Sequence, residues 1–580
     1  MESASSSSPL GALFCALFPS CDSEIPRVLL RDLAAREFNA FLWISLIAIT
    51  SLLIAKVFNL LRLWRRGNRI PGPPCPSFYG HCNLISRETL TDFLSDSHER
   101  YGSVVKLWLG PTQLLVSIKD PNLIKEMLFK AADKLPLTGR AFSLAFGRSS
   151  LFASSFDEVQ KRREALMTEL SERLLVRAKV VECIMERMHR SMANGSVDCN
   201  MVSQHMAFTI LGTTLFGDAF LAWSKANVYE ELLMMIAKDA CFWASYNVTP
   251  FWKRGFWEYQ HLCTKLKCLT QDIVQQCRKN CKLFHCMDQN HYDETTSTGK
   301  NASYDASYCS DGIPDNFIFQ KFKDNIDEKE ESSSNIMGMM FHGCLTTTGL
   351  IDNILMRLVT HPEIQDKSVN FRFDICFRMC PEIYTEITMA QKDSMAPVEQ
   401  NVDKMPLLLA TVYESARLLP AGPLLQRCSL DHDLNLESGV TIPAGAVLVV
   451  PVQLVQKDDS SWGSDADEFN PYRFLSKTGK RSNLVQNTSF SEETTDLGKS
   501  SFVLNDPNDN AAFLTFGSGI RACVGQKFII QGVTALLAAL LKHYEIKLPV
   551  QAQNNEKPKM DNCGFKLLPS TEIVFLRRSS

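Results

Sequence analysis

The residues of this chain that could do chemistry are concentrated near its end, in FGSGIRACVG at 516–525. This stretch holds Cys523 among three glycines and one arginine, although the chain has 19 cysteines in all. A cysteine can fill apolar core, or its thiolate can act as a nucleophile or a metal ligand. A nucleophile needs a nearby base, and the next histidine is His543, while zinc needs further Cys or His side chains close by.

The neighbours of Cys523 favour a large, flat and anionic partner. Gly517, Gly519 and Gly525 can adopt positive φ and allow such a partner to approach closely. Arg521 adds a cation that can pair with a carboxylate. The helical pattern that follows places the sulfur at a helix N-terminus, which favours the thiolate. Together these features indicate haem with a proximal cysteine.

The same pattern resembles the haem-binding signature of the cytochrome P-450 family. All five signature positions are present: Phe516, Gly519, Arg521, Cys523 and Gly525. The resemblance implies haem b, with Cys523 as the axial iron ligand. It also implies a cytochrome P-450-like fold, mainly α with small β-sheets, preceded by one N-terminal transmembrane helix.

Two further motifs match that family in the expected order. YESARLLP contains Glu414 and Arg417 three residues apart, and FNPYRF contains Arg473. The resemblance implies that these three side chains form a buried ion-pair network behind the haem. A buried carboxylate needs good partners, and two guanidinium groups offer bidentate pairing. Without Cys523, Glu414 and Arg417 would be an ordinary pair on a helix surface.

A helical pattern over residues 335–365 is similar to the family's oxygen-handling helix, with its register set by the pair His361-Pro362. The resemblance implies that Gly343 thins the helix and makes room for dioxygen. It also implies that the Thr346 hydroxyl bonds a backbone carbonyl or holds a proton-delivering water. The alternative is that this threonine-rich helix serves packing alone.

Two positions of that helix depart from the family pattern. Leu345 stands where the family has an acid, and His342 stands where it has a small residue. Because an apolar side chain cannot relay protons, proton delivery is expected to differ from the family norm. Either His342 or an ordered water would then substitute for the acid.

Two arginines are candidates for binding the haem propionates. Arg163 matches the arginine of a Trp-x-x-x-Arg pattern, although Val159 replaces the tryptophan and Arg162 is a rival. Arg427 matches a second position that often has this role in the family. The alternative for each is a surface arginine.

The elements that must position these residues lie in one large domain, residues 84–580. Strands are expected within 104–118 and 434–452, and long helices within 157–194 and 229–244. Three segments read as insertions: 287–312, 368–382 and 476–510. The second of these is either a genuine loop or retained non-coding sequence.

The N-terminal part predicts a membrane anchor. Residues 38–61 form a predominantly apolar run of 24 residues with Lys56 as the one charge, and about 20 residues suffice to span a bilayer. A leader, 1–37, precedes this segment, and a basic, proline-rich hinge, 62–83, follows it. Its arginines favour a cytosolic body, which predicts a single-pass protein of the endoplasmic reticulum membrane rather than of a plastid.

Composition narrows the remaining possibilities. The net charge of −3 does not suggest nucleic-acid binding. The scattered cysteines indicate reduced thiols, and the sequons at Asn194, Asn247, Asn301 and Asn487 would be unused in a cytosolic body. Cys277, Cys281 and His285 could share a helix face, but the short Cys-x-x-Cys spacing typical of zinc is absent.

The family resemblance implies a monooxygenase that inserts one oxygen atom from dioxygen into a lipophilic small molecule. No flavin or dinucleotide motif is visible, so electrons are expected from NADPH through a separate NADPH–cytochrome P-450 reductase. The reductase would bind the Cys523 face, near Arg521 and Lys527. Two alternative functions remain. Because Leu345 replaces the acid, the protein could be a family member that rearranges or dehydrates oxygenated lipids. Because of the segment 368–382, it could be a haem-binding isoform with impaired turnover.

Overall fold

The computed structural model divides the chain into two compact units, residues 1–69 and 70–580. The structure describes residues 25–75, 77, 79–81, 90–130, 143–147, 160, 163–164, 166–167, 170, 184–186, 196–244, 251–292, 326–361, 383–392, 401–422, 424–427, 432–477, 502–549 and 572–578. Several features predicted from the sequence lie outside these residues: the four sequons, Val159, Arg162 and the segment 368–382. Most of 476–510 and most of 287–312 also lie outside them.

The N-terminal unit contains one long helix, α1 (Ile25–Gly67). Its part from Asp32 to Gly67 is 36 residues long with a mean hydropathy of 2.2 in its most apolar window, which is enough to cross a membrane by length and composition. The helix runs past both predicted boundaries of the anchor, 38 and 61. The basic start of the predicted hinge is therefore helical, and the chain leaves the helix only at Gly67, shortly before Pro71.

Helices make up most of the described part of the second unit, as the sequence predicts. The longer ones are α2 (Leu90–Tyr101), α3 (Pro121–Lys130), α4 (Cys199–Phe216), α5 (Ala226–Ala244), α6 (Arg254–Tyr292), α7 (Ile326–Thr360), α8 (Ile383–Lys392), α9 (Pro406–Leu418) and α10 (Gln526–His543). Short helices span Asp218–Leu221, Val452–Gln456 and Asp459–Trp462, and 3₁₀ turns span Val402–Lys404, Pro471–Phe474, Pro507–Asp509 and Gly519–Arg521.

The strands form small sheets. They are β1 (Val104–Leu109), β2 (Gln113–Ile118), β3 (Val197–Asp198), β4 (Leu424–Arg427), β5 (Leu434–Asn435), β6 (Thr441–Ile442), β7 (Val447–Pro451), β8 (Leu475–Lys477), β9 (Phe502–Leu504), β10 (Tyr544–Lys547) and β11 (Glu572–Arg577). One sheet has the order β1-β2-β7-β4, another β10-β11-β3, and β5-β6 and β8-β9 are separate pairs. The strands predicted within 104–118 and 434–452 are confirmed.

The first sheet starts from a hairpin whose turn follows directly from the sequence. Gly110 has φ +71 and precedes Pro111, so the chain reverses between β1 and β2. Val104 pairs with Ile118 and Leu109 with Gln113 in an antiparallel register. β7 then adds parallel to β2, and β4 pairs antiparallel with β7.

The apolar core is built around α7. This helix packs against α4 along its length and also contacts α5, α6 and α9. Close packing with α4 is possible because Gly343 has no side chain: a Cβ there would lie 2.9 Å from Leu211 Cδ1. Apolar side chains of α7, α9 and α10 belong to one hydrophobic cluster, and α10 begins directly after Cys523.

Candidate functional site

The Cys523 loop lies between β9 and α10 and is fixed by its own backbone hydrogen bonds. Cys523 N donates to Phe516 O at 2.8 Å, and Ala522 N donates to Gly519 O at 3.0 Å. Gly517 and Gly519 both have positive φ, +72 and +69, which side chains rarely adopt. The loop therefore needs glycine at these two positions for its backbone shape.

The glycines of the loop have different tasks. A Cβ on Gly519 would lie 3.1 Å from Leu128 O of α3, so this glycine also allows close packing. Gly525 has φ −97, so its backbone does not use the positive φ that glycine permits. A Cβ on Gly525 would stand 4.0 Å from Cys523 Sγ, so glycine here keeps the space beside the sulfur open.

The Cys523 side chain has accessible surface, and its surroundings still affect its thiol. Burial raises the pKa of that thiol above its usual value. The backbone N–H of Gly525 and the charge of Arg163 lower that pKa, but less than burial raises it. The start of α10 therefore favours the thiolate, as the sequence suggests. Without a bound cofactor, desolvation of the sulfur has the larger effect and favours the neutral thiol.

Three arginines from distant parts of the chain converge beside Cys523. Arg163 Nη2 donates to Ala522 O at 2.5 Å. Burial lowers the pKa of Arg427 to about 10, with further lowering by the charges of Arg521 and Arg163. Arg427 also has a buried Nε without a hydrogen-bond partner. Mutually repelling cations and an orphaned donor fit an anionic ligand group.

The arginines and the loop fit haem. A flat macrocycle with two carboxylates can use the space beside Gly525, a sulfur ligand from Cys523, and the cations of Arg163, Arg427 and Arg521. The residues described by the structure contain no cluster of three or more His, Cys, Asp or Glu side chains that could hold a metal ion. Cys523 therefore belongs to no such cluster among these residues, and its sulfur is the donor that fits haem.

Glu414, Arg417 and Arg473 are brought together into the network that the sequence suggests. Arg417 binds Glu414 through Nε to Oε2 at 2.7 Å and Nη2 to Oε1 at 2.9 Å, and both side chains are fully buried. Arg473 Nε donates to Glu414 Oε1 at 3.0 Å. Arg473 Nη2 also donates to Asp465 Oδ2 at 3.0 Å, a partner that the motifs do not reveal.

Gln456 links this network to the Cys523 loop, and sequence reasoning missed it. Its Nε2 donates to Arg417 O at 2.7 Å. Its Oε1 accepts from Leu514 N and from Thr515 Oγ1, each at 2.9 Å. Gln456 is fully buried and belongs to no short motif, so only its tertiary position shows this connection.

On α7, the Thr346 hydroxyl bonds backbone carbonyls, donating to His342 O at 2.8 Å and to Gly343 O at 3.3 Å. A Cβ on Gly343 would lie 2.9 Å from Leu211 Cδ1 of α4, so glycine at this position allows the two helices to pack closely. Its predicted role of making room for dioxygen stays a prediction.

The candidate metal patch on α6 is only partly described. Cys277 is buried, and its thiol donates to Phe216 O at 3.5 Å, so it belongs to the packing of α6 on α4. The side chains of Cys281 and His285 lie outside the described residues. The described part of this face is therefore core.

Comparison with known proteins agrees with this geometry. A family model for cytochrome P450 matches residues 70–575, most of the chain. The chain belongs to the cytochrome P450 family. Members of this family are generally haem-thiolate monooxygenases. The residues matched by the family model begin at Ile70, the first residue of the second compact unit.

Individual P450 relatives are distant but nearly full-length. Human cytochrome P450 4F11 is 24% identical over 92% of this chain and 96% of its own. Cytochrome P450 3A6 of Oryctolagus cuniculus is 23% identical, over 89% of this chain and 93% of its own. Cytochrome P450 78A6 of Arabidopsis thaliana is 24% identical, over 83% and 82%.

Proposed function

We propose that this protein is a membrane-anchored haem-thiolate monooxygenase with Cys523 as the axial iron ligand. The observation that supports the proposal best is the placement of Cys523, in its glycine-containing loop, beside three buried or partly buried arginines. Haem, when bound, activates dioxygen for insertion of one oxygen atom into a substrate. The substrate is a lipophilic small molecule.

The chain's own residues bind and orient the cofactor. Arg163, Arg427 and Arg521 pair with the propionates and lose the mutual repulsion that they have in the protein alone. Phe516 and Gly519 shape the loop, and Gly525 leaves room at the sulfur. Cys523 would hold the haem iron through its sulfur, and the protein that surrounds this side chain would limit the access of water to it.

The network behind the loop holds the cofactor pocket rigid. Glu414 is paired with the guanidinium groups of Arg417 and Arg473. Gln456 connects Arg417 to the Cys523 loop, because it is hydrogen-bonded to both Arg417 O and Leu514 N. A buried carboxylate without these partners would be strongly destabilising, by about 3–5 kcal/mol. Glu414, Arg417 and Arg473 are therefore positioning residues.

Thr346 is the candidate proton-handling residue on α7. Its hydroxyl is already committed to the carbonyls of His342 and Gly343, which loosens the helix at the point where a water can enter. Leu345 supplies no acid, so protons must come from a water or from His342.

Electrons come from NADPH through a separate reductase in this proposal. Lys527 is exposed at the start of α10, four residues after Cys523. A cation there suits docking of an acidic flavoprotein surface. α1 anchors the protein in the endoplasmic reticulum membrane with the body in the cytosol, where such a reductase operates.

The test is the ferrous carbon-monoxide spectrum of the purified, haem-loaded protein. We expect the red-shifted Soret band of a thiolate ligand, and its loss in Cys523→His. Cys268→Ala, an exposed cysteine on α6, is the matched control and should keep the band. Absence of the band in the wild-type protein would exclude the haem-thiolate proposal.

Leu345 favours a second candidate, a P450 that rearranges oxygenated lipids without dioxygen or NADPH. Such chemistry starts from a substrate that already carries its oxygens, so an acid for proton delivery is unnecessary. NADPH-dependent oxygen uptake in the presence of reductase and substrate would decide for the monooxygenase. Turnover of a lipid hydroperoxide without NADPH would decide for the alternative.

A further inference from the structure

A surface groove lies where the segment 143–147 meets the start of α6. Its volume is about 630 Å³, which falls within the range of small-molecule pockets, about 300–1,000 Å³. Ser143 and Leu144 form one wall, and α6 forms the other. The α6 residues that line the groove are Phe256, Trp257, Gln260, His261 and Thr264.

Trp257 gives the groove a flat apolar surface that is already held in place. The residue is 59% exposed, so much of the indole ring is open to a ligand. Its Nε1 donates to Phe251 O at 2.7 Å, which fixes the orientation of the ring. A rigid and exposed tryptophan binds a flat ring system at little cost in conformational entropy.

Polar groups follow Trp257 along the same side of α6. His261 and Thr264 come four and seven residues after it, so the three side chains lie on one helix face. Gln260 also lines the groove, and its Nε2 donates to Leu144 O at 2.9 Å. This hydrogen bond joins the two walls of the groove.

These surroundings favour a flat ligand with hydrogen-bonding groups over the acyl chains of a lipid. An acyl chain would cover the imidazole and hydroxyl groups of the groove without replacing their hydrogen bonds to water, which costs free energy. A planar ring with hydroxyl or carbonyl substituents can stack on Trp257 while those substituents bond to His261 or Thr264.

The segment 143–147 also connects the groove to α7. Ser334 Oγ donates to Phe146 O at 2.6 Å, and the Phe146 ring contacts Phe341 with ring centroids 5.0 Å apart. Both Ser334 and Phe341 belong to α7. The segment is therefore held by α7 on one side and, through Gln260, by α6 on the other.

We propose that this groove is a second small-molecule site, in addition to the cofactor site at Cys523, and that it binds a flat amphipathic ligand. A ligand in the groove contacts both walls, so it stabilises the segment 143–147 in its position against α7. The groove is then an effector site, because its occupancy reduces local opening of a segment that packs on the candidate oxygen-handling helix.

Occupancy has a measurable effect on this local opening. A ligand that binds only the closed segment reduces the population of the open form by the factor 1 + [ligand]/Kd. At a ligand concentration of about ten times Kd, amide hydrogen exchange within 143–147 should therefore slow about tenfold.

The experiment uses the full-length, haem-loaded protein, both in detergent and in lipid nanodiscs. The probe is 7-hydroxy-4-methylcoumarin, a flat ring system with a hydroxyl and a carbonyl group, and its binding is measured by equilibrium dialysis against empty micelles or discs. Clotrimazole, an azole that coordinates haem iron, is added to fill the space beside the cofactor. We expect saturable binding of one probe per protein with the azole present, and the tenfold slowing of exchange within 143–147.

Variants of the groove give the matched comparison. Trp257→Leu should weaken probe binding about tenfold through loss of stacking, and His261→Ala about fivefold through loss of a hydrogen bond. Trp252→Leu is the control and should keep the wild-type affinity, because Trp252 is similarly exposed, at 61%, but does not line the groove.

Each of the other outcomes would overturn the proposal. Equal affinity of wild type and Trp257→Leu would show that the probe binds elsewhere. Displacement of the probe by clotrimazole would place it beside the cofactor. Binding that is present in detergent and lost in nanodiscs would show that lipid covers the groove.

Discussion

At the scale of single residues, the site depends on how neighbours change one thiol and one carboxylate. Cys523 is one of 19 cysteines, and it is set apart by Gly525 beside its sulfur and by arginines around it. Glu414 tolerates complete burial because Arg417 and Arg473 bind both of its oxygens. In both cases the charge of a side chain is governed by its partners rather than by its own chemistry.

The two glycines of the loop should respond differently to substitution. Gly519→Ala forces a side chain into positive φ and against Leu128 O, so we expect a loss of about 1–2 kcal/mol in the free energy of unfolding. Gly525→Ala has permissible φ and should leave stability nearly unchanged while altering the thiolate haem spectrum. Urea unfolding and absorption spectra measure both effects, and equal destabilisation by the two changes would contradict this account.

At the scale of elements, buried side chains tie helices to one another. Glu386 on α8 accepts hydrogen bonds from Leu407 N at 2.8 Å and Leu408 N at 2.9 Å, and so caps the start of α9. Pro406 occupies the first position of that helix, where no N–H is needed. The register of α9, and with it Glu414 and Arg417, is therefore fixed from a neighbouring helix.

This cap should make stability depend on pH. Burial raises the pKa of Glu386 to about 7 from 4.5, against the lowering by the two N–H groups. The folded state therefore holds a proton that the unfolded state releases, so this stabilisation is full below pH 4.5 and is lost as pH rises to about 7. The shift corresponds to about 3 kcal/mol.

Urea unfolding at pH 5 and pH 8 tests this linkage. Glu386→Gln cannot ionise, so its difference in unfolding free energy between the two pH values should be smaller than that of wild type by about 2.5 kcal/mol. Glu231→Gln, an exposed residue of α5, is the matched control. The same pH dependence in wild type and Glu386→Gln would rule out this role.

At the scale of the whole molecule, the anchor and the P450 body are separate compact units. The body begins with Ile70, which is buried, and Pro71, whose carbonyl accepts from Lys106 N at 2.9 Å. The described side chains of α1 before Leu60 are almost all exposed, as expected for a helix whose surroundings are lipid.

Removal of residues 1–69 should therefore separate membrane attachment from folding. We expect the truncated protein to keep the thiolate carbon-monoxide band and to be released from membranes by alkaline carbonate, which the full-length chain resists. The physical reason is that the cut leaves Ile70 and Pro71 in place. A truncated chain that still resists carbonate would show that α1 is not what anchors the protein.

Much of this organisation was predictable from the sequence because the determinants are local. An apolar run of 24 residues, a glycine-rich cysteine loop, and a Gly-Pro turn between alternating apolar residues each carry their own structural requirement. The cofactor ligand could be proposed from its local neighbours, and the Glu414 network from motifs that resemble those of the P450 family. The backbone angle of Gly525 and the packing role of Gly343 could not, because each depends on what faces it.

The sequence by itself determined the helical class, the anchor and the cysteine that can hold haem, since side-chain type and spacing are enough for these. Only the tertiary structure decided that Arg163 and Arg427 lie near Arg521, and that Gln456 joins the Glu414 network to the Cys523 loop. These relations join residues far apart in the chain. They follow from packing of α7 and its neighbours, and no local pattern encodes them.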